Sequence, residues 1–296
     1  MSDSTTPTNG SPTPPDGDEP ASSRLVAQFV VFPLAIVIVG AALYILLGLL
    51  TQEDRAPRDF LNAIRTGGIN SRWQAAFELS TQLSNQEAGE IDESFAREII
   101  RVFEASRQDD PRVRRFLAMA MGQVPHPAVV GPPLIDALQD PDSETRIYAA
   151  LSLGIQGDAR ALPALEQMAA LEDPGLRKAA VFALGEIDAG AALPTLQAAL
   201  EDPEADIRWN AALQLAKSGN ASGLGVLKAD MLNRSRLDGI EGMTREQKDR
   251  VMVGAIRSLQ HLRDLESRPL LEKLKDADPS MQVRQAAIEA LSDLQP

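Results

Sequence analysis

The sequence predicts an all-α protein, a solenoid of about seven stacked helix pairs preceded by one long apolar segment. Three observations predict it. A short pattern opening on arginine returns at a near-constant step. An aspartate–proline pair stands before most copies. The composition, with aromatics at 4% and abundant alanine and leucine, suits helices that approach closely and does not suit a β-sandwich.

The repeat carries most of the case. Aligned on their arginines, Arg72 opens RWQAAFELS, Arg114 RRFLAMAMG, Arg146 RIYAALSLG, Arg177 RKAAVFALG, Arg208 RWNAALQLA and Arg284 RQAAIEALS, with a degenerate copy MVGAIRSLQ from Met252. The steps between these starts are 42, 32, 31, 31, 44 and 32 residues, and a fixed period of this size marks a solenoid. Asp110-Pro111, Asp140-Pro141, Asp173-Pro174, Asp202-Pro203 and Asp278-Pro279 precede the arginine helices. There an aspartate can cap free N–H groups, and a proline is pre-shaped for the first turn. A second helical stretch lies before each pair, such as residues 161–172 and 192–201, so each unit reads as two antiparallel helices with short turns. The two long steps hold insertions, SNQEAGEIDESF and NRSRLDGIEGMTREQ, read either as functional loops or as tolerated surface additions.

The pattern D-P-x(2–4)-R-x-x-A-x-x-x-L-G followed by A-L-P-x-L-x-x-x-L resembles the short HEAT-like repeats named after phycobilisome lyases, over about 240 of the 296 residues. The resemblance implies a right-handed stack of helix pairs with a structural ladder of charges, here Asp140, Arg146, Asp173, Arg177, Asp202 and Arg208. It is specific for fold and weak for function, because such arrays serve many roles.

Residues 1–23 are polar, acidic and nearly free of apolar side chains, so they are expected to be disordered. Residues 25–50 are almost wholly apolar, with no charge between Arg24 and Glu53, and about 20 such residues span a bilayer. A transmembrane helix is the expectation here, ahead of a cleaved signal peptide or a buried core helix. Arg55, Arg58, Arg65 and Arg72 follow the segment, which would place the solenoid, residues 57–296, in the cytoplasm beneath the cell membrane.

Function classes are narrowed by what the chain lacks. Zero cysteines remove disulfides and thiolate chemistry, and two distant histidines, His126 and His261, disfavour metal and Ser-His sites. A net charge of -13 disfavours nucleic acid. No phosphate loop, dinucleotide fingerprint or nucleophile elbow is present. No enzymatic activity, cofactor or metal is therefore expected.

With each arginine as position 0, the residues at +3, +4, +5 and +7 share an apolar arc. Phe77, Met119, Leu151, Phe182 and Leu213 at +5 accordingly read as core. The opposite row at +2 and +6 is the candidate groove: Gln74 and Glu78, Phe116 and Ala120, Tyr148 and Ser152, Ala179 and Ala183, Asn210 and Gln214, Ala286 and Ala290. In families of this kind the second helices line the concave surface. Phe116 and Tyr148 stand out as interface anchors or as packing residues, and Trp73 and Trp209 read as packing between units. A cluster of arginines at 97, 101, 107, 112, 114 and 115, interleaved with Glu98, Glu104, Asp109 and Asp110, reads as a salt-bridged face or as a site for anionic headgroups or an acidic partner. The expected function is a membrane-anchored scaffold that holds a protein partner, such as a transporter or secretion complex. A lyase-like protein or chaperone for a pigment or cofactor is the alternative, and a structural spacer is the third reading.

Overall fold

A computed structural model describes residues 34, 37–44, 56–85 and 91–294. The chain divides into two units, Met1–Asp54 and Arg55–Pro296. In the first, residues 34 and 37–44 are helical and exposed. The expected single-pass membrane location is corrected: among the described residues no helix is long and apolar enough to cross a membrane. The acidic tail 1–23 and the remainder of 25–50 lie outside the described residues.

The second unit is helical throughout, with no strand among the described residues. Its helices pair in tandem: α1 (Pro57–Thr66) with α2 (Ile69–Asn85), α3 (Glu93–Ala105) with α4 (Pro111–Gly122), α5 (Pro127–Ala137) with α6 (Ser143–Gln156), α7 (Leu162–Ala169) with α8 (Pro174–Asp188), and α9 (Leu193–Ala199) with α10 (Ala205–Lys217). The next unit is altered. Its first helix, α11 (Leu224–Val226), runs into a π turn at Leu227–Met231, and a short α12 (Arg234–Asp238) precedes α13 (Arg245–His261). The array ends with α14 (Arg268–Ala277) and α15 (Met281–Asp293).

The second helices form one layer, α2 on α4, then α6, α8, α10, α13 and α15. Small residues draw this layer together. A Cβ on Gly122 would stand 2.6 Å from Ser152 Oγ and 3.0 Å from Ser152 Cα, and one on Gly154 would stand 3.1 Å from Ala183 Cα. These glycines occupy +8 in one unit and cover +6 of the next. Polar side chains then lock the joint. Ser152 Oγ donates to the Ala118 carbonyl at 2.8 Å. Gln156 Nε2 donates to the carbonyls of Gly122 at 2.8 Å and Val124 at 2.7 Å, satisfying the open end of α4. Close approach along this layer makes it the inner one, with the first helices outside.

The aspartates before proline split into two roles. Asp110 and Asp173 cap their helices as expected. Asp140, Asp202 and Asp278 instead hold a turn by accepting from the N–H two residues on, at 3.0, 2.9 and 2.8 Å. The first of these leaves the cap of α6 to Asp142, which accepts from Thr145 N at 2.8 Å.

The charge ladder is present with altered rungs. Four of the arginines reach the carboxylate that ends the next first helix: Arg72 to Asp109, Arg114 to Asp140, Arg177 to Asp202 at 2.8 Å and Arg208 to Asp230 at 3.3 Å. Arg146 and Asp173, both expected in the ladder, do not form the rung that this pattern would give them. Asp173 is spent on the N–H groups of α8, and Arg146 donates to the Leu138 carbonyl at 2.9 Å. The degenerate unit has Met252 where the arginine should be. Its rung is restored from the insertion: Arg234 reaches Asp278 and Asp249, both at 2.8 Å, and these carboxylates are 2% and 10% exposed.

Replacing Arg234 by Met should therefore cost about 3–5 kcal/mol, because two buried carboxylates lose their cation. Arg97→Met, on an exposed pair with Glu93, should cost less than about 0.5 kcal/mol. Urea unfolding of both variants measures the contrast. A second expectation concerns Asp142, held down to about 2 first by its hydrogen bonds from Arg115, then by those from Thr145. A carboxylate lowered on folding stabilises above its ordinary range near 3.8, and that gain fades as pH falls toward 2. Asp142→Asn should lose about 1 kcal/mol at neutral pH, part of the gain being screened by water. The gap to wild type should close in unfolding curves taken near the acid limit.

Candidate functional site

The interlock of +6 under +8 decides which side chains face outward on the inner layer. Among the expected groove residues, Gln74 and Glu78 are exposed on α2, and Phe116, Tyr148 and Asn210 are half-buried. Asn210 Nδ2 donates to the Lys178 carbonyl at 3.4 Å. Ser152 and Gln214 are buried at 1% and 5% exposure, so neither is available on the surface. Ala120, Ala183 and Ala290 at +6, with Ala179 and Ala286 at +2, are buried as well. Conversely, the +5 residues expected in the core face the groove: Phe77 is 45% exposed, and Met119, Leu151, Phe182 and Leu213 are half-buried. The outward row is thus +1 and +5, joined at +2 by Gln74, Phe116, Tyr148 and Asn210, because the narrow gap between second helices takes +6 from α4 to α10.

This row concentrates aromatic rings over three consecutive units. Phe116 from α4 is the hub. Its ring centroid lies 5.1 Å from Phe77 in an edge-on arrangement, 6.5 Å from Trp73 and 6.4 Å from Tyr148. Such spacings are within the range of favourable aromatic pairing. Trp73 is half-buried, resting on the core with part of its surface on this strip. The Arg112 guanidinium covers the Trp73 ring at 4.4 Å and is fixed by Asp110, Nη2 to Oδ2 2.6 Å. That pairing, first among several causes, holds the Asp110 carboxyl below its ordinary range. Beside Tyr148, Arg115 is forked onto Asp142 at 2.8 and 2.6 Å. Charge around the strip is therefore held in pairs, and each ring packs on a neighbour.

The arginine cluster takes its salt-bridged form. Arg97, Arg112, Arg114 and Arg115 each meet a carboxylate, and Arg101 Nε donates to the Arg97 carbonyl. His126 is spent on the Ile91 carbonyl at 2.9 Å, and no group of three metal-ligating side chains occurs among the described residues. Sequence reasoning missed Phe77 as a groove residue. The available signal was the small side chain at +6 in successive copies.

Comparisons with known proteins agree with this architecture. Residues 101–176 and 169–241 match the family model of HEAT repeats. The phycocyanobilin lyase subunit alpha of Picosynechococcus sp. is 36% identical over 111 residues, 33% of this chain and 41% of that protein. The chain thus spans about two fifths of the curated relative it matches. The complex of CpcE and CpcF of phycocyanin lyase from Nostoc sp. aligns with a TM-score of 0.51 at 19% identity, covering 81% of this chain and 95% of that one. YibA of E. coli aligns with a TM-score of 0.50 at 15% identity, covering 83% and 96%. At such identities the two structures show a shared fold. Residues 101–241 thus match HEAT repeats, and part of the chain is similar to a lyase subunit of the phycobilisome type.

Proposed function

We propose that the protein has a lyase-like role in pigment attachment and docks the protein that receives the pigment on its inner aromatic strip. The observation that carries this reading is the strip itself. Trp73, Phe77, Phe116 and Tyr148 make one half-exposed, preset row across three units. Rings already fixed before binding lose little freedom on contact and anchor interfaces well. The pigment chemistry is supported by the 36% identity to a phycocyanobilin lyase subunit, which also counts against the expectation that the chain is not an enzyme. We put this reading ahead of the membrane-tethered scaffold, and a spacer has no use for an exposed aromatic row. A second reading, docking of a protein partner without pigment, is favoured by one observation: the solved phycocyanin lyase relative is itself a complex of two proteins.

The test mixes the purified full chain with pigment-free phycocyanin and phycocyanobilin. Complex formation is followed by calorimetry, and covalent pigment by zinc-induced fluorescence after denaturing electrophoresis. Wild type should bind the acceptor and promote attachment. Phe116→Ala with Tyr148→Ala should weaken docking at least about tenfold. Binding without attachment supports the second reading, and absence of both contradicts the proposal.

A further inference from the structure

The outward row at +5 changes character along the array. From α2 to α10 it is apolar: Phe77, Met119, Leu151, Phe182 and Leu213, each exposed or half-buried. In α13, counted from Met252, the same position holds Arg257, which is exposed. The residue at +2 changes as well, from Phe116 and Tyr148 through Ala179 and Asn210 to Gly254. Phe116 at +2 packs on Phe77 at +5 of the preceding unit, ring centroids 5.1 Å apart. At the other end of the row a Cβ on Gly254 would meet only Leu213 Cδ2, at 3.8 Å. The register of +2 over +5 therefore holds across the insertion, with the ring replaced by open space.

Gly254 is unlike the glycines that draw second helices together. At Gly122 a Cβ would stand 2.6 Å from Ser152 Oγ, and at Gly185 it would run into Gln214. Gly254 lies inside a 17-residue helix, where glycine is weaker than alanine, and no close neighbour requires it. What it provides is a notch beside Leu213, with Val253 half-buried next to it and Arg257 one turn on.

Arg257 has no carboxylate partner among the described residues. The charges that neighbouring helices bring are already engaged. On the α10 side Lys217 is taken by Glu186 at 2.8 Å. On α15, Glu289 accepts from Gln285 at 2.8 Å and Asp293 accepts from Gln260. Arg250 lies two turns back on α13, about 10 Å away, among Glu204, Asp206 and Glu241, and has no part in this patch. In a chain of net charge -13, an unpaired guanidinium that continues an apolar row is complementary to an acidic partner.

We propose that the inner face over α8, α10 and α13 docks an amphipathic helix of a protein partner, apolar toward Phe182 and Leu213 and carrying a carboxylate that meets Arg257. A helix suits this row. Packed helices stand about 8–10 Å apart, and two turns of a crossing helix rise about 10.5 Å. Its side chains at i and i+7 then fall over Phe182 and Leu213, and the one at i+14 falls over Arg257, with the apolar face entering the notch at Gly254. The surface rests on the reading above that a protein docks on the inner layer, and adds to the aromatic strip a second anchor of stated charge.

The test uses the full chain and a fluorescent helical peptide of about 21 residues, with leucine at i, i+3, i+7 and i+10 and glutamate at i+14 on an alanine–glutamine background. Anisotropy at low salt should report binding that weakens as salt rises. The same peptide with lysine at i+14 should bind about tenfold more weakly, and Arg257→Glu should reverse the preference between the two peptides. Gly254→Leu fills the notch, and should unfold no earlier than wild type while binding the glutamate peptide at least about tenfold more weakly. Absence of binding, equal affinity for the two peptides, or an unreversed preference in Arg257→Glu would overturn the proposal. The strip variant Phe116→Ala/Tyr148→Ala separates the two claims, since it should keep the peptide while losing the pigment acceptor. If wild type binds the peptide with the expected charge preference but no acceptor, the pigment reading falls and this surface stands.

Discussion

The near-contact of successive second helices governs the rest of this molecule. At Gly122 and Gly154 the facing unit comes so near that a Cβ would meet backbone at 3.0 to 3.1 Å. Helices drawn together on one side and carrying bulkier first helices on the other must stack with the second helices inward. The same approach buries +6, frees +5, and leaves an inner surface on which large side chains can stand without clashing. Alanine at +3 and +4 in many of the copies extends the small-residue seam.

Charge follows from that geometry. An arginine at the start of each second helix is brought beside the end of the neighbouring first helix, where an aspartate can meet it. Rungs such as Arg114–Asp140, with side chains 10% and 4% exposed, are removed from water, so each needs its partner. The unit that lacks the arginine shows the constraint most plainly. Its acid, Asp278, is still present and buried, and the chain recruits Arg234 from a segment outside the repeat pattern to meet it. The insertion that breaks the period therefore preserves the interaction that the period exists to supply.

Much of this was legible in the sequence and some was not, for a physical reason. The helix pairs and their order could be read because the arginine pattern and the Asp-Pro junctions are local. The ladder partners were less legible, since Asp173 and Asp202 share a sequence context while one caps its own helix and the other pairs with Arg177. The face of each second helix was misassigned by one position in the wheel. A helical projection cannot tell which of two adjacent flanks, +5 or +6, a neighbour will cover, and Ser152 and Gln214 look like surface residues by polarity alone. Their burial is decided by Gly122 and Gly185 in the preceding unit. Phe116 and Tyr148, placed in the groove from sequence, do meet there at 6.4 Å, but the partner that completes the strip, Phe77, was expected in the core.

The most direct test of the inner-layer geometry exploits the absence of cysteine from the chain. Single cysteines placed at Phe77, Tyr148 and Leu151 on one hand, and at Ser152 and Gln214 on the other, can be timed for reaction with a maleimide in the folded full chain. Fast labelling at the first three and strong protection at the last two is the predicted result. Rapid reaction at Ser152 and Gln214, with Phe77 and Leu151 protected, would mean that the second helices face one another through the other flank, and the account built on their near-contact would fall.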